Sequence, residues 1–285
     1  MDLPEGSCDS QIHVFGDAAD YPPHHPKPLY SPPEGEGLIG EALAIHEKLD
    51  IHRLVIVNAT IYATDVRLLC DTLRALPSDK ARGIAIVDNS VTDRQLADMH
   101  DAGVRGARFN FQPRFGLVPD IAEFHRQAAR LAEMGWMAKV FCGPAELEAM
   151  EGELRKTKIN ILLDHMGQIA VEGGVAQPAM QRLLNLLAEE RFWMMLSNGD
   201  HLTHEYPWDE IVPFGHAFYK AAPDRCVWGS DWPHVARWIH PRPKPYTLHP
   251  SGFAGKLALG LRYLPDTAAV QKVFADNPAR LFRFD

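Results

Sequence analysis

The chain is short of cysteine, has no long apolar run and carries no surplus of positive charge. Its four cysteines, Cys8, Cys70, Cys142 and Cys226, lie far apart with no CxxC pair. That excludes a disulfide framework or a cysteine-ligated zinc site, and leaves buried thiols in a reducing compartment. No stretch reaches the ~18 apolar residues of a membrane span. The opening residues, MDLPEGSCDS, lack the basic and apolar regions of a signal peptide, so a cytoplasmic location is expected. Lys and Arg number 29 against 37 Asp and Glu, a net charge of −8. With no basic run, neither nucleic acid nor an anionic membrane is an expected partner. A glycine-rich phosphate loop is missing too: the first strand candidate is followed by Val14-Phe-Gly-Asp-Ala-Ala-Asp. Nothing in the composition speaks to oligomeric state.

What the chain does have is enough apolar material for one large core, with 46% hydrophobic and 23% charged residues over 285 positions. A single domain over residues 1–285 is expected. Strand-like runs occupy 8–15, 53–57, 82–87, 103–111, 136–141, 159–163, 192–196 and 226–229. Between them lie amphipathic patterns at 38–48, 65–76, 92–101, 121–134, 144–155, 178–190 and 210–221, with further helices running to Leu281. Thr64 stands at a capping position, and Thr92-Asp-Arg-Gln is a capping box. Eight strands, each followed by a helix, predict a parallel sheet closed into a (β/α)8 barrel.

Two proline-rich stretches interrupt this rhythm, 18–37 and 232–251. Both are too long for ordinary connections. They follow strands 1 and 8, neighbours in a closed barrel, on the face where barrel enzymes keep their sites. A lid is expected there, against the plainer reading of ornamental surface loops.

Polar residues at strand ends are the candidates for chemistry. Strand 1 supplies Asp9, Gln11 and His13 at alternating positions, hence on one face. Strand 4 places Arg108, Asn110 and Arg114 near the mouth, strand 6 His165, strand 7 His201, and strand 8 Asp231 and His234. Asp231 has the strongest case. Its neighbours Trp228, Trp232 and Pro233 are apolar, which would raise its pKa and suit a general base. The competing reading is a helix cap, disfavoured because a proline-rich loop follows. A lone histidine is more often a core residue than a catalyst, but His13 and His165 at strand ends of one barrel shift the balance. Asp164 is expected to point the other way, as a barrel-end acceptor. Arg108 and Arg114 offer planar cationic forks for a carboxylate, against the alternative of surface ion pairs; Arg105 reads as structural. His24, His25, His240 and His249 read as solvated loop residues, and Cys142 as a packing thiol.

With these residues placed, the chain resembles the amidohydrolase superfamily, in the branch that holds 2-pyrone-4,6-dicarboxylate lactonase and galactarolactone isomerase. The resemblance spans almost the whole chain. It rests on CDSQIHVFGD (8–17), RGIAIVD (82–88), GVRGARFNFQPR (103–114), LLDHMGQ (162–168), VWGSDWPH (227–234) and NPARLF (277–282). It implies that Asp231 activates water, that His13 and His165 polarise a lactone carbonyl, and that Arg108 and Arg114 hold a substrate carboxylate. Tyr30 then corresponds to a lid tyrosine contacting substrate. Asn110, His201 and His234, from their strand-end positions, are expected to bind substrate as well. The implied substrate is a small carboxylate-bearing lactone.

The departures from the family pattern are informative. The superfamily's strand-1 motif is His-x-His, and here the first position is Gln11. That removes one ligand where a catalytic metal keeps three, so no metal and no other cofactor are expected. Gln-x-His also resembles the isomerase, which keeps lactone isomerisation open as an alternative, together with a metal-dependent hydrolase or decarboxylase. Phe141 and His201 replace a tyrosine and an arginine of the lactonase, so a second substrate carboxylate would be held differently.

Overall fold

The computed structural model describes residues 3–239, 249 and 251–284. Eight strands pair in sequence order, all parallel: β1 (Cys8–Ile12), β2 (Arg53–Val57), β3 (Ala81–Ala85), β4 (Val104–Asn110), β5 (Met137–Phe141), β6 (Asn160–Leu163), β7 (Phe192–Leu196) and β8 (Cys226–Trp228). The intervening helices are α1 (Ile39–Lys48), α2 (Arg67–Ala75), α3 (Asp93–Ala102), α4 (Ile121–Glu133), α5 (Pro144–Lys156), α6 (Pro178–Leu187), the one-turn α7 (Gly199–Leu202) and α8 (Val212–Ala221). Three more, α9 (Gly252–Arg262), α10 (Thr267–Gln271) and α11 (Asn277–Phe282), follow β8. The architecture is the (β/α)8 barrel read from the alternation. Among the described residues, no helix is long and apolar enough to cross a membrane.

Strand alternation splits the core into two layers. Val55, Val57, Ile84, Leu162, Met195 and Val227 fill the barrel, with Phe282 and Phe284 packed beneath them. Their neighbours Leu54, Ile56, Val140, Ile161, Leu163 and Leu196 face the helices. Each such side chain contributes roughly 1.5–3 kcal/mol by leaving water.

β1 departs from strict alternation. Asp9 pairs with Leu54 but Ile12 with Ile56, so one extra residue is accommodated between them, as in a β-bulge. The bulge overturns the expectation that Asp9 shares a face with Gln11 and His13. Asp9 faces outward with Leu54, where its carboxylate accepts hydrogen bonds from Ser230 N (2.8 Å) and Ser230 Oγ (2.5 Å) and meets His46 of α1 at 3.2 Å. Asp9 therefore ties β1 to the end of β8. The seam is completed above it, where Asp231 N donates to Gln11 O (2.9 Å) and His13 N to Trp232 O (2.7 Å).

Thr92 caps α3 as expected, its Oγ1 accepting from Gln95 N while Gln95 Oε1 accepts from Thr92 N. Thr64 does not cap α2. That helix starts at Arg67 after Val66, and the exposed N–H of Arg67 bonds the Asp65 carboxylate instead. The two proline-rich stretches do meet over the barrel mouth. Tyr30 forms a bridge with Ile239, and Phe15 packs on Tyr30 and Trp238 with ring centroids 6.2 and 5.5 Å apart. Half of the second stretch, including His240, lies outside the described residues. His25 is not solvated: it is buried and its Nε2 lies 3.0 Å from Phe115 O, joining the first stretch to the loop after β4. His24 meets Asp65 at 3.0 Å, and His249 stacks on Tyr206 at 4.0 Å.

Candidate active site

Three strands deliver polar side chains to the barrel axis by the same backbone device. His165 after β6, Asn198 after β7 and Asp231 after β8 all have positive φ, at 47°, 55° and 59°. Left-handed backbone is costly for residues with a Cβ, and such strain concentrates at functional sites. Here it turns each chain end inward where continued strand would carry the side chain over the rim.

Asp231 is the hub. Its Oδ1 accepts from Gln11 Nε2 (2.9 Å) and faces His13 Nε2 (3.3 Å) and His165 Nε2 (3.9 Å). Its Oδ2 accepts from Asn198 Nδ2 at 2.7 Å. The His13 ring is oriented from behind, because Nδ1 lies 2.8 Å from Val57 O. A carbonyl can only accept, so Nδ1 carries a proton, and a bond from Nε2 to Asp231 requires a second. His165 is held at both ring nitrogens: Nδ1 lies 2.7 Å from Ser197 Oγ and 3.2 Å from the Asn198 amide nitrogen, and Nε2 lies 3.4 Å from the Gln11 amide nitrogen. All of these side chains are buried.

The electrostatics correct one expectation. Burial alone would raise the Asp231 carboxyl, but His165, His13 and the Asn198 amide outweigh it and hold its pKa well below the usual carboxylate range. Asp231 is thus an ionised carboxylate wrapped in donors and not a base raised by apolar neighbours. Burial lowers His165 against the pull of Asp164 and Asp231, and lowers His201 to about 4 against Asp200.

A chamber of about 490 Å³ opens above Asp231. His13, His165, His201, Arg108, Arg114 and Tyr30 line it, together with Thr60, Gln168 and Asn198. Arg108 lies over the Phe141 ring at 5.1 Å and Arg114 over Phe115 at 4.7 Å, so the two cations rest on one aromatic wall. Tyr30 is buried and accepts a hydrogen bond from Thr60 Oγ1 (3.3 Å). Two sequence candidates stand apart from this chamber. Asn110 spends its amide on its own loop, bonding Gly116 O (3.1 Å) and Gln112 N (3.0 Å). His234 is buried, and neither of its ring nitrogens has a hydrogen bond among the described residues. Cys142 is buried with its thiol pushed up to about 12, in keeping with packing.

Other groups of the site escaped the sequence reading. Asp164 points inward and not away from the axis: it pairs with Lys139 Nζ at 3.0 Å and lies 3.7 Å from Arg108. Lys139 is wholly buried inside the barrel, and a lysine in the middle of the buried run MAKVF was its only signal. Ser197 and Asn198 precede His201, which drew attention first. Lys256, the lone charge in the apolar run GFAGKLALGL of α9, reaches Asn198 Oδ1 (3.1 Å) and Asp200 (2.8 Å).

The donor set is a poor match for a divalent metal. Gln11 presents an NH2 group toward Asp231 and His165, a donor where a cation needs a lone pair. No group of three or more His, Cys, Asp or Glu among the described residues is arranged to hold a metal ion. The residues do not fit the metal as arranged.

Residues 8–284 match the amidohydrolase family Amidohydro_2. Over 283 residues the chain is 33% identical to a 4-sulfomuconolactone hydrolase of Rhizobium radiobacter, covering 98% of this chain and 91% of that one. It is 31% identical over 291 residues to a 2-pyrone-4,6-dicarboxylate hydrolase of Comamonas testosteroni, with the same coverage of 98% and 91%. In fold it superposes on an apo crystal structure of an Agrobacterium tumefaciens protein with a TM-score of 0.85, at 24% identity over 99% of this chain and 97% of that one.

Proposed function

As the chain belongs to the amidohydrolase family, we propose that it hydrolyses a small lactone bearing a carboxylate. The observation that carries this reading is the ionised Asp231, ringed by His13, Gln11 and Asn198, on the floor of a chamber whose wall holds Arg108 and Arg114. Both relatives described above are named as hydrolases, one of 4-sulfomuconolactone and one of 2-pyrone-4,6-dicarboxylate.

The steps follow from the donors. Arg108 and Arg114 seat the substrate carboxylate through paired N–H bonds. His13, with Nδ1–H fixed on Val57 O, donates Nε2–H to the lactone carbonyl oxygen, and the Gln11 amide supplies a second donor. Both strengthen as the carbonyl becomes an oxyanion, which is where preorganised donors act. A water oxygen attacks the carbonyl carbon while its proton passes to Asp231. The tetrahedral intermediate then collapses, the ring C–O bond breaks, and Asp231 returns the proton to the leaving oxygen. The products are a hydroxyl and a carboxylic acid on one open chain, and the acid releases its proton to solvent to become a carboxylate. No metal takes part in these steps, and metal independence belongs to the proposal on the strength of the Gln11 donor.

Gln11 favours one competing reading, acyl migration within a lactone. A panel of carboxylated lactones turned over in 18O-water separates them: hydrolysis puts one solvent oxygen into the product, whereas migration yields an isomer of unchanged mass. Unlabelled isomeric products would overturn hydrolysis. Turnover that vanishes with chelator and returns with one equivalent of zinc would overturn the metal-free site.

A further inference from the structure

A second cavity of about 240 Å³ opens beside the chamber, at the ends of β3 and β4. Thr60 and Arg108 line both spaces. Beyond Arg108 its walls are Ile86, Val87, Phe109, Leu117, Val118 and Pro119. Leu117 and Val118 are 40% and 44% exposed, apolar side chains facing solvent at the cavity itself. Asp88 and Glu123 also line it. Their carboxylates are held by the loop after β3: Asp88 accepts from Ser90 N (2.8 Å), and Glu123 from Asn89 N (3.0 Å). Among the described residues Arg108 is the one cation in the lining, beside the two carboxylates.

The roof is built in place. Asn110 bonds both Gln112 N and Gly116 O, which ties the loop carrying Leu117 and Val118 to the end of β4. A preformed apolar pocket loses little on filling.

We infer that this cavity is a subsite for a short, uncharged apolar substituent of the substrate, borne next to the carboxylate that Arg108 holds. The inference rests on the proposed binding of a carboxylated lactone and narrows its class. The substrate is a monocarboxylate with an alkyl branch on the Arg108 side and no second acid group there. The adjoining aliphatic and aromatic walls give the branch its affinity, and Asp88 and Glu123 reject a charged one.

Calorimetry with the linear monocarboxylates from propanoate to hexanoate tests the subsite without turnover. Affinity for the wild-type protein is expected to rise about fourfold per added methylene until the cavity is filled, the effect of burying each CH2. Val118→Phe, at an exposed position, fills the cavity and should flatten the series. Val118→Asp adds a third carboxylate and should reverse it. An affinity independent of chain length in the wild type, or a rise that survives Val118→Phe in a protein of wild-type melting temperature, would overturn the subsite. The lactone panel reads the reaction separately. A chain-length effect with no lactone opened would sink the hydrolysis and leave the subsite standing; lactone opening with a flat series would do the reverse.

Discussion

Lys256 holds Asn198 the right way round. Its Nζ lies 3.1 Å from Asn198 Oδ1, while the Nδ2 of the same amide donates to Asp231 at 2.7 Å. A flipped amide would set oxygen against carboxylate and NH2 against ammonium, so one buried lysine on α9 fixes the donor that faces the proposed base. Lys256 is a positioning residue, acting only through Asn198. Lys256→Met should lower kcat about 10- to 100-fold, the equivalent of a charged hydrogen bond of roughly 1.5–3 kcal/mol. KM should change little, because the chamber wall is untouched, and Lys256→Arg should restore part of the loss. Since Lys256→Met also leaves the buried Asp200 carboxylate without its ammonium, the double variant with Asp200→Asn serves as the folded control. Wild-type kcat in that stable double variant would refute the positioning role.

Asp231 carries the heaviest demand. Asp231→Asn keeps the shape but removes the proton acceptor, and should reduce kcat by about two to four orders of magnitude. The depressed pKa sets the pH dependence. The carboxylate stays ionised from neutrality down past the usual carboxylate range, so its own titration should not appear as an acid limb near pH 6. A pH profile of kcat/KM in wild type and Asp231→Asn checks this. An acid limb near neutrality that moves only with substitution at Asp231 would show that the base is raised after all.

The barrel was legible because its signal is repeated eight times, as an apolar run followed by an amphipathic stretch. β2 and β7 match the sequence reading residue for residue. The strand-end residues Gln11, His13, His165 and Asp231 were legible for a similar reason, since they sit where alternation and a barrel's mouth coincide. Asp9 failed because a one-residue bulge leaves no mark in composition, yet exchanges the faces of the strand. Asp164 failed because strict alternation was applied across a chain end that turns through positive φ at His165. Lys139 and Lys256 were hidden by the rule that lysine is a surface residue. Each is buried only because a carboxylate from another element, Asp164 or Asp200, is waiting for it, a pairing between positions far apart in the chain. The raised pKa expected for Asp231 was wrong for a related reason: the apolar neighbours were visible in sequence and the converging donors were not.

The Lys139–Asp164 pair lies directly under the chamber and makes a prediction about stability. Both side chains are wholly buried, and Arg108 at 3.7 Å is the next cation. Lys139→Met leaves a buried carboxylate short of its closest partner, which typically costs about 3–5 kcal/mol. Removing both charges with Lys139→Met and Asp164→Asn should recover most of that. Urea denaturation of the three proteins measures it. Equal midpoints for the single and double variants would mean that the pair is not coupled.

The buried histidines make the fold acid-sensitive well above the carboxylate range. Burial lowers His165, His201 and His234 in the folded chain, His201 to about 4 from an ordinary 6.5. Above pH 6.5 all three are neutral in both states and contribute no pH dependence. As pH falls below 6.5 the unfolded chain takes up protons that the folded chain refuses, so stability drops. Each histidine adds a slope of up to about 1.4 kcal/mol per pH unit until its folded pKa is reached. Asp164, Asp200 and Asp231 are depressed in the folded state. Their contribution is fully present above the ordinary carboxylate pKa and is lost only below it, so it neither masks nor mimics the decline between pH 6.5 and 4.5. Urea midpoints at pH 8, 7, 6 and 5 should therefore be level at first and then fall steeply. His234 has no side-chain hydrogen bond among the described residues, so His234→Gln should make that fall shallower by about a third. A stability that stays flat from pH 7 to 5 in the wild type would mean that these histidines take up protons in the folded protein as readily as in the unfolded chain.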